Sequence, residues 1–517
     1  MSIRRSSGIL LPVAALPSPY GIGTLGKAAY DWIDFLAEAG QSWWQVLPLG
    51  PTSYGDSPYQ SFSTYAGNPY FIDPDLLIEE GILTKKEVTG FFWGELPRYV
   101  DYKAVYDGRF ELLRKASDRG WKREDLAAEA AAFILENSGW IENYALFMAL
   151  KRHFGMKSWT EWEDEDIRLH KPEAVAAYRT KLWDEVLFFE FLQYLFFRQW
   201  KAVREYACRK GIGIVGDIPI YVALDSADVW SEPGYFRLDE KNLPIEVAGV
   251  PPDYFSADGQ LWGNPLYDYD RMRADGFNWW IRRVGGAEKM YDVLRIDHFR
   301  GFSSYWAVPY GETTAKHGRW CKGPGMDLVG ALTGWFHGME FIAEDLGDLS
   351  PDVYELLRAS GLPGMKVLEF AFDSLKEGEY QPHSYTENCV CYVGTHDNAP
   401  VMEWENEVPE EVIAYAREYF GAETEPLDRM LIRAGLRSVA RLFVAQMQDW
   451  LGLGAEGRTN TPGTLGFNWQ WRLLPGEAST ELAAEIRRLT RMYGRTEEEK
   501  PAEPPASAEE ENASAAG

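Results

Sequence analysis

The sequence predicts an α/β protein, a (β/α)8 barrel with large insertions in its βα loops. Short apolar, β-favouring runs alternate with helical patterns along the chain, as they do in proteins with parallel sheets. Several of these runs end directly at acidic residues, and polar side chains at strand exits are typical of the C-terminal face where barrel active sites lie. Two long interruptions, at about 51–210 and 223–290, explain a length of 517 residues, against ~250 for a plain barrel.

Eight strand candidates follow one another along the chain. They are predicted at 8–16, 43–49, 211–221, 293–300, 338–347, 365–372, 389–394 and 449–454. Between the first two, the apolar residues Ala29, Trp32, Ile33 and Leu36 fall at helical spacing, and Gly40 is a natural residue to follow the helix end. A strand, a helix and a strand joined by short connections predict parallel strands.

The domain organisation follows from the two interruptions. Residues 51–210 are mostly helical in pattern and predict an inserted subdomain, and the Gly-, Pro- and Trp-rich segment 223–290 predicts a substrate-loop region. We therefore expect residues 1–495 to form a single catalytic domain. Residues 496–517 contain Glu, Ala, Pro and Ser but no aromatic residue, so we expect a disordered acidic tail.

Composition limits the classes of partner. The net charge of −27 argues against nucleic acid, because phosphate binding relies on clustered Lys and Arg. Aromatic residues make up 15% of the chain, with 21 Trp and 28 Tyr, and flat rings suit the C–H faces of sugars. A neutral, sugar-like substrate fits this composition better than a polyanion.

Cysteine, histidine and hydropathy patterns point to a cytoplasmic protein without a metal. Four Cys in so long a chain suit a reducing compartment. The seven His form no metal-binding spacing, and Cys389 and Cys391 lack a second ligand pair, so we expect core packing and no metal site. The sequence contains no run of 18 apolar residues, so no membrane span is expected.

The predicted strand at 293–300 carries the first candidate active-site group. Arg295 and Asp297 project from the same strand face, and a buried strand rejects such charges unless they reach a polar cavity. A structural Arg–Asp pair at a strand end is the alternative. Two further acids, Glu344 and Asp397, stand at the exits of other predicted strands, which favours the catalytic interpretation.

Three carboxyl groups in an aromatic-rich barrel suit chemistry at glycosidic bonds. One carboxylate attacks the anomeric carbon, while one carboxylic acid with a raised pKa protonates the leaving oxygen. Arg295 would help to keep Asp297 ionised and nucleophilic.

Long motifs add a family resemblance. RIDHFRGF (295–302), AEDLG (343–347) and THDN (395–398) resemble catalytic segments of the α-amylase clan. Together with PTSYGDSPYQSFS (51–63), GDIPIYV (216–222), PPDYFSADGQLWGNPLY (251–267) and FNWQWR (467–472), they resemble the 4-α-glucanotransferases of glycoside hydrolase family 77, known as amylomaltases or disproportionating enzymes. The resemblance covers the chain to about residue 490.

This resemblance implies roles for individual residues. Asp297 is implied as the nucleophile, Glu344 as general acid and then base, and Asp397 as the group that holds donor hydroxyls and stabilises the transition state. The implied substrate-binding residues are Ser57, Tyr59, Asp217, Gln260, Trp262, Arg295, His298, Asp373, His396 and Asn468.

The resemblance also implies the reaction and its partners. Segments of α-1,4-glucan or maltooligosaccharide pass from a donor to the 4-hydroxyl of an acceptor, with retention and without a cofactor or the calcium site of α-amylases. A retaining α-glucan hydrolase is the alternative, and a non-catalytic glucan-binding protein is a further one. The oligomeric state stays open between a monomer and a weak dimer.

Overall fold

The computed structural model describes residues 4–53, 55–252, 257–347, 349–372, 375 and 378–496. In chain order the strands are β1 (Ser6–Leu10), β2 (Trp43–Gln45), β3 (Gly213–Ile218), β4 (Glu246–Val250), β5 (Gln260–Pro265), β6 (Val293–Ile296), β7 (Ser304–Pro309), β8 (Arg319–Lys322), β9 (Glu340–Ala343), β10 (Gly364–Val367), β11 (Cys389–Tyr392) and β12 (Leu442–Gln446).

The helices are more numerous than the strands. They are α1 (Lys27–Glu38), α2 (Pro74–Glu79), α3 (Lys85–Val88), α4 (Tyr102–Gly120), α5 (Glu124–Glu136), α6 (Ser138–His153), α7 (Glu165–Arg168), α8 (Pro172–Lys181), α9 (Trp183–Arg209), α10 (Ala227–Ser231), α11 (Tyr269–Ala274), α12 (Asn278–Glu288), α13 (Met326–Trp335), α14 (Pro351–Ser360), α15 (Val401–Glu407), α16 (Glu410–Phe420), α17 (Leu427–Arg437), α18 (Met447–Leu451) and α19 (Thr480–Met492).

Eight parallel strands form the predicted barrel. Their order is β10-β11-β12-β1-β2-β3-β6-β9. Between β9 and β10 the Ala343 N–H donates to the Pro363 carbonyl at 3.0 Å, and the Met365 N–H donates to Asp345 Oδ1 at 2.6 Å. The Asp345 carboxylate thus replaces a backbone carbonyl as hydrogen-bond acceptor where the two end strands of the sheet, β9 and β10, meet. The (β/α)8 prediction is confirmed.

Apolar side chains fill the inside of the barrel and leave its C-terminal mouth polar. The interior cluster consists of Leu10, Trp43, Val215, Val293, Ile342, Met365, Val367, Val390, Tyr392, Leu442 and Val444. Residues that alternate with these point outward to the surrounding helices, as the period of two along a strand requires.

The strand predictions hold for seven of the eight barrel strands, with shifted ends. The eighth prediction, 449–454, was wrong, because the last strand is β12 and Asp449 lies in helix α18. In the first predicted strand, residues 13–15 form a 3-10 turn. Helix α1 ends as predicted, with Gly40 in a left-handed conformation at φ +67°.

The two interruptions have different structures. Helices α2 to α9 all lie between β2 and β3, in agreement with the helical pattern of 51–210. The 223–290 segment, predicted as loops, instead supplies β4 and β5 to an antiparallel sheet of order β5-β4-β7-β8. The other two strands, β7 and β8, come from the segment after β6, for which no strand was predicted.

Two further predictions concern the acidic tail and membrane-spanning helices. The acidic tail lies outside the described residues apart from Thr496. Within the described part of the chain, we find no helix with both the length and the apolar character needed to span a bilayer.

Candidate active site

A buried cluster of charge joins the ends of β3 and β6. The two strands pair so that Asp217 lies beside Arg295. Arg295 Nη1 donates to Asp217 Oδ2 at 2.6 Å and to Asp297 Oδ1 at 3.0 Å. The Arg295 and Asp217 side chains are 4% and 0% exposed, whereas Asp297 keeps 29%. The Arg–Asp pair seen in the sequence is therefore a group of three, and Asp297 is its member nearest to solvent.

Glu344 follows β9, the neighbour of β6 in the barrel. Its carboxylate accepts the His298 N–H at 2.6 Å on Oε2 and the Leu346 N–H at 2.8 Å on Oε1. His298 adopts a left-handed backbone at φ +52°, a conformation that is uncommon outside glycine. The chain turns sharply after Asp297, and the Glu344 side chain is held by backbone groups on both of its oxygens.

The surroundings raise the pKa values of both carboxyl groups. For Asp297, burial raises the pKa, Arg295 lowers it, and the charges of Asp217, Glu344 and Asp397 raise it again, so the net direction is upward. For Glu344, burial raises the pKa against the lowering effects of Arg295 and of two backbone hydrogen bonds. Arg295 thus favours ionised Asp297, as expected, but does not outweigh burial and the neighbouring carboxyl groups.

The opposite side of the mouth is built from β11 and from the segment after β12. Asp397 follows β11 and its side chain is 44% exposed. Oδ1 of Asp397 accepts Asn460 Nδ2 at 2.6 Å and lies 3.4 Å from His396 Nε2. Burial lowers the pKa of His396, so this imidazole is neutral near pH 7.

Aromatic rings connect the two sides. Tyr59 stacks on His396 with ring centres 5.2 Å apart, and Trp469 packs against both rings at 5.9 and 5.8 Å. The Tyr59 hydroxyl donates to Asp217 Oδ2 at 2.8 Å. One hydrogen-bonded and stacked group therefore runs from the buried charges to His396 and Asp397.

A third set of predicted residues lies beside Glu344. The Trp262 ring meets the His298 ring edge-on at 4.7 Å, and Trp262 Nε1 donates to Gln260 Oε1 at 3.1 Å. Burial and the nearby Arg300 lower the pKa of His298 to about 3, which keeps this imidazole neutral. Trp262 and Gln260 lie on β5, so the antiparallel sheet carries one wall of the site.

The remaining predicted residues divide into two kinds. The Ser57 hydroxyl accepts the Tyr59 N–H at 3.3 Å, and Asn468 Oδ1 accepts the Thr461 N–H at 3.0 Å, so both side chains hold their own loops. Asp373 lies outside the described residues. Sequence reasoning missed Asn460 and Trp469, although Trp469 lies within the FNWQWR motif.

The fold and this arrangement define a class of protein. A (β/α)8 barrel with a pair of carboxyl groups of raised pKa at its C-terminal mouth, flanked by aromatic rings, is typical of enzymes that act on glycosidic bonds.

Comparison with known proteins specifies the family. Residues 11–477 match the model of the 4-alpha-glucanotransferase family. The chain is 47% identical to a 4-alpha-glucanotransferase of Clostridium butyricum (94% of this chain, 100% of the relative) and 46% identical to one of Thermus thermophilus (95% and 99%). Among solved structures it is similar to an amylomaltase from Streptococcus agalactiae in complex with acarbose, with a TM-score of 0.93 and 42% identity (96% and 100% of the two chains). The chain belongs to the 4-alpha-glucanotransferase family.

Proposed function

We propose that this protein transfers segments of α-1,4-glucan from a donor to the 4-hydroxyl of an acceptor glucan or glucose, with retention of configuration. The observation that carries the proposal is the pairing of Asp297 and Glu344 at the ends of adjacent strands, within a chain of this family. Retention requires two carboxyl groups, one to attack the anomeric carbon and one to exchange a proton with the departing and arriving oxygens.

The first half of the reaction forms a covalent glucosyl-enzyme. An Asp297 oxygen attacks C1 of the donor sugar while the bond from C1 to the glycosidic oxygen breaks. The proton of the Glu344 carboxyl group moves to that oxygen, so the departing glucan leaves as an alcohol. Burial raises the pKa of Glu344, a direction that favours the protonated form needed for this role, although burial also raises the pKa of Asp297.

The second half reverses these steps with a new alcohol. The Glu344 carboxylate takes the proton of the acceptor 4-hydroxyl, whose oxygen attacks C1 and displaces Asp297. Asp397 binds donor hydroxyls and stabilises the positively charged transition state, and Arg295 favours the ionised nucleophile. Tyr59, Asp217, Gln260, Trp262, His298 and His396 surround the donor sugar in this proposal, and Ser57, Asp373 and Asn468 complete the predicted binding set.

The proposed partners are α-1,4-glucans and maltooligosaccharides, as both donor and acceptor. The acarbose bound to the amylomaltase from Streptococcus agalactiae supports a ligand of this kind. We place the protein in the cytoplasm, as a monomer or weak dimer. The four cysteines, Cys208, Cys321, Cys389 and Cys391, form no disulfide, which suits a reducing compartment. We treat residues 1–495 as one catalytic domain.

Incubation with maltotriose alone tests the proposed function. A transferase yields glucose and a ladder of longer glucans, because each glucosyl-enzyme intermediate is intercepted by another sugar. Glucose and maltose without longer products would indicate a hydrolase, and binding without turnover would indicate a glucan-binding protein.

A further inference from the structure

The contact between Asp397 and Asn460 is the feature of the mouth that the proposed reaction does not explain. Asp397 is 44% exposed at the rim, whereas the Asn460 residue is only 9% exposed. Their hydrogen bond, Nδ2 to Oδ1 at 2.6 Å, is shorter than the 3.4 Å contact between His396 and the same oxygen. Oδ2 of Asp397 has no hydrogen-bond partner within the described part of the chain, so one oxygen is held and the other is available to a ligand.

The segment that precedes Asn460 is held from two directions. Gln448, fully buried in helix α18 after β12, donates to the Gly457 carbonyl at 3.0 Å and to the Thr459 hydroxyl at 2.9 Å. The Trp469 N–H donates to the Thr459 carbonyl at 2.7 Å. The amide that reaches Asp397 is therefore part of a segment that is hydrogen-bonded to α18, the helix that follows the last barrel strand.

Trp469 reinforces this arrangement. Its backbone has φ +65°, a left-handed conformation that is costly for a side chain of this size. Its ring packs on His396, and its carbonyl accepts the Tyr102 hydroxyl at 2.7 Å. The segment thus contacts Asp397 through Asn460 and its neighbour His396 through Trp469.

From this geometry we propose that Asn460 is a positioning residue for Asp397. Its amide N–H fixes Oδ1, so that Oδ2 keeps one orientation toward the donor hydroxyls throughout the reaction. The inference rests on the proposed function, since it concerns the same reaction. An amide suits this position because it donates without carrying charge; a carboxylate 2.6 Å from Asp397 would repel it unless the two groups shared a proton.

Asn460→Asp tests the role by adding that carboxylate. At low pH the pair keeps one proton, and the protonated residue 460 can donate to Asp397 as the amide does. As pH rises through the upper pKa of the pair, two negative charges face each other and Asp397 is displaced. Asp397 interacts electrostatically with His396, Asp297 and Tyr59, and the charged Arg458 side chain donates to the Asn460 carbonyl at 3.3 Å; all four groups are the same in both proteins.

The expected result is a loss that depends on pH. The ratio of the variant's kcat to the native kcat, both measured on maltotriose, should be about 10-fold or more lower at pH 8 than at pH 5. Asn460→Ser adds no charge and should lower kcat by about 10- to 100-fold at all pH values, because a misplaced group near the reacting centre costs that much. Asn406→Asp, the same change at an exposed position of α15, should leave the pH profile unchanged.

Two results would overturn the inference. One is an Asn460→Asp profile parallel to that of the native protein, since a purely structural defect lowers activity equally at every pH. The other is an Asn460→Ser variant with native kcat, which decides the matter alone if Asn460→Asp does not fold. Absence of a product ladder with the native protein would instead contradict the proposed function, so the two failures are distinguishable.

Discussion

The two sides of the barrel mouth hold their acids in different ways. On the β3–β6–β9 side, Asp297 and Glu344 are fixed by neighbouring barrel strands, by buried Arg295 and by backbone N–H groups. On the β11–β12 side, the exposed Asp397 depends on Asn460, which reaches it from a loop segment. The groups proposed to make and break bonds thus belong to the barrel itself, and the group proposed to bind sugar hydroxyls is held by a connecting segment. Substitutions on the first side should therefore cost more than those on the second.

The largest loss should follow Asp297→Asn, which removes the attacking oxygen anion. We expect transfer from maltotriose to fall by about 10⁴-fold or more, with a thermal unfolding midpoint close to that of the native protein. Asp270→Asn, at a side chain that is 98% exposed, is the matched control and should retain activity. Substantial turnover by the Asp297 variant would place the nucleophile elsewhere.

Glu344→Gln should cost somewhat less, about 10²- to 10⁴-fold, because it removes proton transfer but keeps the nucleophile. A maltosyl fluoride donor separates the two half-reactions, since fluoride leaves without protonation. With this donor a maltosyl-enzyme should form and accumulate, because no base activates the acceptor, and mass spectrometry of the intact protein should show the added maltosyl group. Failure to detect any adduct, together with normal release of fluoride, would contradict the assigned role.

Arg295→Met tests the charge group shared by β3 and β6. Its removal leaves Asp217 and Asp297 without their cation, and loss of one partner of a buried pair costs about 3–5 kcal/mol in the free energy of unfolding. Arg295 lowers the pKa of Asp297, so without it that pKa rises further. The acid limb of kcat/KM should therefore move to higher pH, since Asp297 stays protonated over a wider range.

Urea unfolding measures the loss in the free energy of unfolding, and kcat/KM measured from about pH 4 to pH 8 gives the shift of the acid limb. Arg273→Met, which removes an exposed arginine paired with Asp270 and Asp327, is the control. A native acid limb in the Arg295 variant would mean that Arg295 does not influence the charge of Asp297.

The sequence was sufficient to predict that Asp297 and Glu344, on the β3–β6–β9 side of the mouth, lie at strand ends. Apolar runs that end at Asp297 and Glu344 show a strand pattern, and the period of two places Arg295 beside Asp297. The link from Arg295 to Asp217 joins residues 78 positions apart in different strands, and only the register of β3 and β6 establishes it.

The second side was harder to predict for a physical reason. β12 is an ordinary apolar run with no acid at its exit, and the strand was predicted instead in the strand-like stretch 449–454, whose first residues are helical. Asn460 lies in a turn-rich stretch, and an amide there has no periodicity to distinguish it from any other loop residue. Its function depends on a contact 63 residues away. In the antiparallel sheet, β4 and β5 were missed because the Gly, Pro and Trp content of 223–290 obscured short strands, and no element was predicted where β7 and β8 lie.

The smallest effect should come from the Trp469 side chain, which contributes ring contacts to the second side. Trp469→Ala removes its packing on Tyr59 and His396, and aromatic pairs are worth about 0.5–1.5 kcal/mol each. We expect KM for maltotriose to rise by about 3- to 10-fold, with a smaller change in kcat.

Trp469→Gly separates the ring from the backbone, because glycine accepts φ +65° without steric cost. If the Gly and Ala variants share the same KM while Gly unfolds at the higher temperature, the ring supports substrate binding and the backbone bears the strain. Trp335→Ala, which removes a ring that is 68% exposed on α13, should change neither constant. An equal loss in all three variants would instead mean that Trp469 has no part in holding the mouth.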